Sequence, residues 1–188
     1  MTQTVVAQVN ERIGISVALP MQPAEISVAA EAILAEALSY CAGKMDLDGP
    51  QTVAERLRQG DGVACGYCLY SVAKQVAEAI GSLDGNVRAV YTFDCDATPE
   101  DECLGEVARG MPLVHLLVWA QRKTAALCAL VSALDRALVY AYADVLGEGQ
   151  PASLLDVQVI DDADVGRRSG YGALLGSMYH RPVQVWQC

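Results

Sequence analysis

An α/β fold in one domain is the architecture this sequence predicts, with α+β as the variant, and three observations carry it. Apolar residues alternate with small or polar ones in short strand-like runs, as at Ile13, Ile15, Val17 and Leu19. Longer segments carry apolar stripes at helical spacing, as at Ile26, Ala30, Ile33, Leu34, Ala37 and Leu38. Between residues 112 and 160 a strand, a helix and a strand follow one another, which calls for a parallel right-handed crossover. The prediction is a mixed sheet of five to six strands with helices packed on it.

Taken in order, residues 4–19 read as a β-hairpin turning at Asn10–Glu11. Pro23 and Glu25 open a helix to about Cys41, and residues 24–82 form a helical segment. Within it, Thr52 and Glu55 make a capping box for a short helix ending near Gln59. A further helix over roughly 63–82 follows, with Asp61 as its cap and a stripe of Cys65, Leu69, Val72, Ala73, Val76 and Ile80.

The half from 86 to 188 contains the βαβ unit. Val87–Phe93 is a strand, and LVHLLVW after Met111–Pro112 is apolar on both faces, as a central strand is. A long Ala-rich helix spans about Gln121–Leu146, with Leu127, Leu130, Leu134, Leu138 and Val145 marking its core side. Alanines recur at 125, 129, 133, 137 and 141, a row of minimal side chains that permits close approach of another helix. That helix belongs either to the same chain or to a second copy, so a homo-oligomer is an expected partner. A strand at 154–160, a glycine-punctuated segment and the strand VQVW complete the chain.

Composition bounds what such a domain does. With 188 residues, 53% of them hydrophobic and 19% charged, the chain can bury a core unaided. Its single Phe and 6% aromatic content leave Ala, Val and Leu to build that core. Thirteen basic against 23 acidic residues give a net charge of −10, a field that repels phosphate backbones and anionic headgroups; neither nucleic acid nor membrane is an expected partner. Seven cysteines, at 41, 65, 68, 95, 103, 128 and 188, are an odd number, and no basic stretch leads into an apolar run at the start, so a reducing, cytoplasmic setting is expected. Asp135 and Arg136 interrupt the most apolar window, 124–145.

Two stretches bear residues with chemistry. Cys65-Gly-Tyr-Cys68 stands in the opening turns of a helix, whose N-terminus favours thiolate. With the strand that follows, and with Met111–Pro112 before another, it resembles the thioredoxin family. The resemblance covers about 60 residues and implies thiol–disulfide activity at Cys65 and Cys68, with Pro112 in the place of the family's cis-proline. The helical stripe, however, directs Cys65 into the core, where a cysteine serves as a small hydrophobe. A second use of the same residues is a four-thiolate zinc set of Cys65, Cys68, Cys95 and Cys103.

The other stretch is Phe93-Asp94-Cys95-Asp96-Ala97-Thr98. An apolar strand ending in Asp-x-Asp-x-Thr resembles the opening motif of haloacid dehalogenase-like phosphatases. That likeness implies Mg²⁺-dependent phosphate chemistry with Asp94 as nucleophile and Asp96 as general acid, Lys123 and Asp161 or Asp162 standing in order for the later motifs. Independently, Asp161, Asp162 and Asp164 also follow a strand. If the strands at 87–93 and 154–160 are parallel, Asp94, Asp96, Asp161 and Asp162 converge on a divalent cation; if antiparallel, they lie at opposite ends of the sheet. The glycines at 170, 172 and 176 have the spacing of a dinucleotide loop variant, beside a packing use, and His115 reads as a core histidine. No small-molecule ligand is specified by any of this. The leading expectation is a self-associating binding or structural protein, with the thiol and phosphate activities as alternatives.

Overall fold

The computed structural model describes residues 22–93, 113–147, 151–179 and 182–188. Three helices come first, α1 (Pro23–Met45), α2 (Pro50–Arg58) and α3 (Gly62–Leu83). There follow β1 (Val87–Thr92), β2 (Val114–Ala120), α4 (Ala125–Leu146), β3 (Leu155–Asp161), the short α5 (Asp162–Arg167), a 3₁₀ helix (Gly170–Gly176) and β4 (Val183–Gln187).

The helix ends follow local chemistry. Pro23 occupies the first turn of α1, where a missing N–H costs nothing, and the Glu25 carboxylate accepts from the Gln22 N–H at 2.8 Å. Asp61 caps α3 as expected, its carboxylate accepting from Val63 and Ala64 N–H at 3.0 and 3.2 Å. Thr124 does the same for α4 through Leu127 N–H, and Gly147 ends that helix at φ 64°. The capping box expected at Thr52 and Glu55 does not form the start of α2. Pro50 at the first turn begins that helix earlier and leaves Thr52 inside it.

The sheet is mixed, in the order β3-β2-β1-β4. Strands β2 and β3 are parallel, joined through α4, while β1 is antiparallel to both β2 and β4. Four strands form it among the described residues, against the five to six expected. The difference is the hairpin assigned to residues 4–19, which lies outside the described residues.

Helix α3 lies against β1, β2 and β4, and α1 packs across α3 and α4. Alternation along β2 puts Val114, Leu116, Val118 and Ala120 into this helix-side core, with Val87 and Val90 from β1. Ala89, Leu117 and Ile160 are buried outside it. Trp186 of β4 rests directly on Gly81 of α3, where an added Cβ would come within 2.3 Å of the indole. Glycine is required there by close approach.

Helices α1 and α4 are long and apolar enough, by length and composition, to cross a membrane. In this fold they pack on each other, with 44% of the most apolar window of α1 buried and 33% of that of α4. Leu127, Leu134 and Leu138 face the core as expected. Leu130 is only half-buried and Val145 is exposed.

Candidate functional site

Residues Cys65 and Cys68 are brought together with a third thiol, Cys41, in the seam between α1 and α3. Asp61 fixes the start of α3, so that Cys65 N–H bonds back to Asp61 O at 2.9 Å and both cysteines fall inside the helix. All three sulfurs are buried. The Cys41 thiol donates to Ala64 O at 3.6 Å and the Cys68 thiol to Ala37 O at 3.9 Å, a reciprocal pair that ties the helices together. Burial pushes each thiol above its ordinary range. For Cys65 the Asp61 carboxylate adds to burial, and for Cys68 the neighbouring Cys41 does. For Cys41, burial outweighs the opposing hydrogen bond with Cys68. A buried neutral thiol is a poor nucleophile and a poor ligand. Cys95, Cys103 and Pro112, needed for the zinc set and for the thioredoxin-like proline, lie outside the described residues.

The acidic residues at and after the end of β3 have cationic and amide partners. Asp161 caps α5, accepting from Asp164 N–H at 2.9 Å. Asp162 accepts from Arg88 at 2.7 Å and from the Trp119 indole N–H at 2.9 Å, while the Arg88 guanidinium lies 5.9 Å from the Trp119 ring centroid. Asp164 pairs with Lys123 at 2.6 Å and with Arg167 at 3.5 Å. The Arg88 hydrogen bond holds Asp162 below the usual carboxylate range, and Lys123 does the same for Asp164.

The condition for a shared cation site is not met by the strand directions. With β1 antiparallel to β2 and β2 parallel to β3, Thr92 at the end of β1 stands opposite Leu116, near the start of β2. Asp161 stands opposite Ala120, at the other end. The convergence of Asp94 and Asp96 with Asp161 and Asp162 depended on parallel strands; Asp94 and Asp96 themselves lie outside the described residues. Among the described residues no group of three or more His, Cys, Asp and Glu side chains is placed to hold a metal.

No family model matches the chain, and neither a curated protein nor a solved structure does.

The sheet face away from the helices carries a pair that the sequence reading missed. His115 and Asp156 are register partners on the parallel strands β2 and β3, with Nδ1 3.0 Å from the carboxylate. Gln158 donates to the other Asp156 oxygen at 2.9 Å. The Phe93 ring lies 5.7 Å from the imidazole and 6.1 Å from Tyr171. His115 is thus a half-buried residue with a carboxylate partner. The signal was the alternation that groups His115 with Trp119, hidden because every intervening residue is apolar. The stretch with the glycine spacing of a dinucleotide loop variant is the 3₁₀ helix, with Gly172 pressed against the Asp164 carbonyl, where a Cβ would sit 2.6 Å from the oxygen. Packing accounts for that glycine.

The remaining feature is the outer side of α4. Ala125, Ala126, Ala129, Arg136, Tyr140 and Asp144 are exposed and Ala133, Ala137 and Ala143 half-buried, one continuous stripe at helical spacing. Beside it a groove of about 1040 Å³ runs between α1, α2 and α4, floored by Leu34, Leu38, Ala54 and Ala141. Arg58 closes its end, donating from Nε to Leu146 O at 2.6 Å and from Nη2 to Val145 O at 3.0 Å. Those contacts satisfy two of the carbonyls that a helix leaves unpaired at its C-terminus.

Proposed function

We propose that the protein is a cytoplasmic, self-associating binding or structural protein, assembled through the outer face of α4 and with no assignable reaction. The observation that supports this best is the exposure of α4. An apolar 22-residue helix with mean hydropathy 1.4 in its best window leaves two-thirds of that window outside the core. Of the alanine ladder, Ala125 and Ala129 are exposed, Ala133 and Ala137 are half-buried against the edge of the core, and Ala141 is buried. Apolar helix surface of this kind is most stable when another surface covers it. The net charge of −10 favours a protein partner over nucleic acid.

The alternatives draw less support. A thiol–disulfide activity needs an accessible thiolate, and Cys65 and Cys68 are buried and neutral. Phosphate chemistry at Asp94 and Asp96 has no described geometry behind it, and Asp162 is engaged with Arg88 and Trp119.

Sedimentation over a hundredfold range of protein concentration tests the proposal. A species of twice the chain mass or more, gaining population with concentration, is the expected result. A persistent 20.0 kDa species would refute it.

A further inference from the structure

The exposed stripe of α4 carries three large polar or aromatic side chains, and their spacing is self-complementary. Arg136 and Asp144 stand four residues before and four after Tyr140, which is 63% exposed. Neither Arg136 nor Asp144 forms an ion pair among the described residues. At 1.5 Å per residue the two charges are about 12 Å apart along the axis, on one side of the helix. The positions flanking Tyr140 between them are Ala137 and Ala143, so Tyr140 is the one bulky side chain between the two charges.

Resting on the self-association proposed above, we infer that two copies pair through antiparallel α4 helices about a two-fold axis passing at Tyr140. An antiparallel two-fold maps position 140 − n onto position 140 + n of the other copy. Arg136 then meets the partner's Asp144, and Asp144 meets the partner's Arg136, giving two equivalent ion pairs at the rim. Ala137 faces the partner's Ala143, and the two Tyr140 rings pack against each other at the centre. This is the isologous arrangement in which one patch is its own complement. A buried aromatic centre with a charged rim is the anatomy that stable interfaces share. A parallel pairing in register would set Arg136 against Arg136 and Asp144 against Asp144, so the charges select the antiparallel direction.

The test compares dimer dissociation constants by sedimentation for the wild-type chain, Arg136→Glu, Asp144→Arg and the double exchange. Each single exchange places like charges together twice in the dimer and is expected to weaken it by about tenfold or more, with the double exchange restoring affinity. Both positions are solvent-exposed and form no ion pair among the described residues, so loss of folding is not expected, and circular dichroism checks it. In a second arm, Tyr140→Cys in a background lacking Cys95, Cys103, Cys128 and Cys188 is expected to form a disulfide-linked dimer on mild oxidation, the thiols losing two protons and two electrons to an added diazene oxidant. Single exchanges that leave a wild-type-strength dimer overturn the two-fold while self-association stands. A wild-type chain that stays monomeric overturns both.

Discussion

A thiol in the first turns of a helix is pulled two ways. The helix end favours the thiolate by at most about 1–2 kcal/mol, and only within its first turn. Burial favours the thiol, and at Cys68, which is 0% exposed, burial prevails. Two outcomes follow. Maleimide labelling of native protein, read by peptide mapping, should modify Cys128 and Cys188 and spare Cys41, Cys65 and Cys68 until denaturant is added; rapid modification of Cys68 would overturn its buried, neutral state. Because the folded value lies above the ordinary 9.0, the stability held by the neutral thiol is fully present below pH 9 and is lost as pH rises beyond it. The loss is about 1.4 kcal/mol per pH unit for each such thiol. Urea unfolding at pH 8 and 10 should therefore show a shallower decline in Cys68→Ala than in wild type. At this scale the sequence was half legible. The stripe through Cys65 announced burial, but Cys41, which lies 24 positions earlier, could be joined to it only by knowing that α1 and α3 are antiparallel neighbours.

Among the elements, the join between α4 and β3 depends on one residue. The Asp135 carboxylate accepts from Leu154 N–H, Leu155 N–H and the Ser153 hydroxyl, each at 2.9 Å. It thereby fixes where β3 begins relative to the helix that crosses over to it. Asp135→Ala should cost about 2–3 kcal/mol in urea unfolding, with Asp135→Asn losing less because an amide oxygen still accepts from both N–H groups. A loss below about 0.5 kcal/mol would mean that water replaces the carboxylate without penalty. In the sequence Asp135 is visible only as an interruption of an apolar run. The parallel direction of β2 and β3 was legible, since a single helix connects them. The antiparallel direction of β1 was not, because a strand's pattern specifies which face is covered and says nothing of which neighbour runs beside it. That missing direction is what separates the end of β1 from Asp161.

At the scale of the whole molecule, the helices cover one face of the sheet and share a continuous core with it. Trp186 reports that helix-covered side through Gly81, and Trp119 reports the other face through Asp162. If the chain is one folding unit, indole fluorescence and far-ultraviolet circular dichroism should lose their native signals in one coincident urea transition. Two separated transitions would divide the chain. One domain was the expectation from length alone, and mixed topology from the strand–helix–strand succession. The His115–Asp156 pair, by contrast, arises only when two parallel strands come into register.

The pairing of β1 with β4 sets an order in time. Thr92 finds its partner in Val183, and Gly81 its cover in Trp186. A ribosome that has delivered α1 through α4 and β3 has still left one edge of β1 without its ladder and a strip of α3 bare. Throughout that interval the nascent chain offers an open strand edge to whatever is nearby. Five residues of β4, arriving late, are what shuts it.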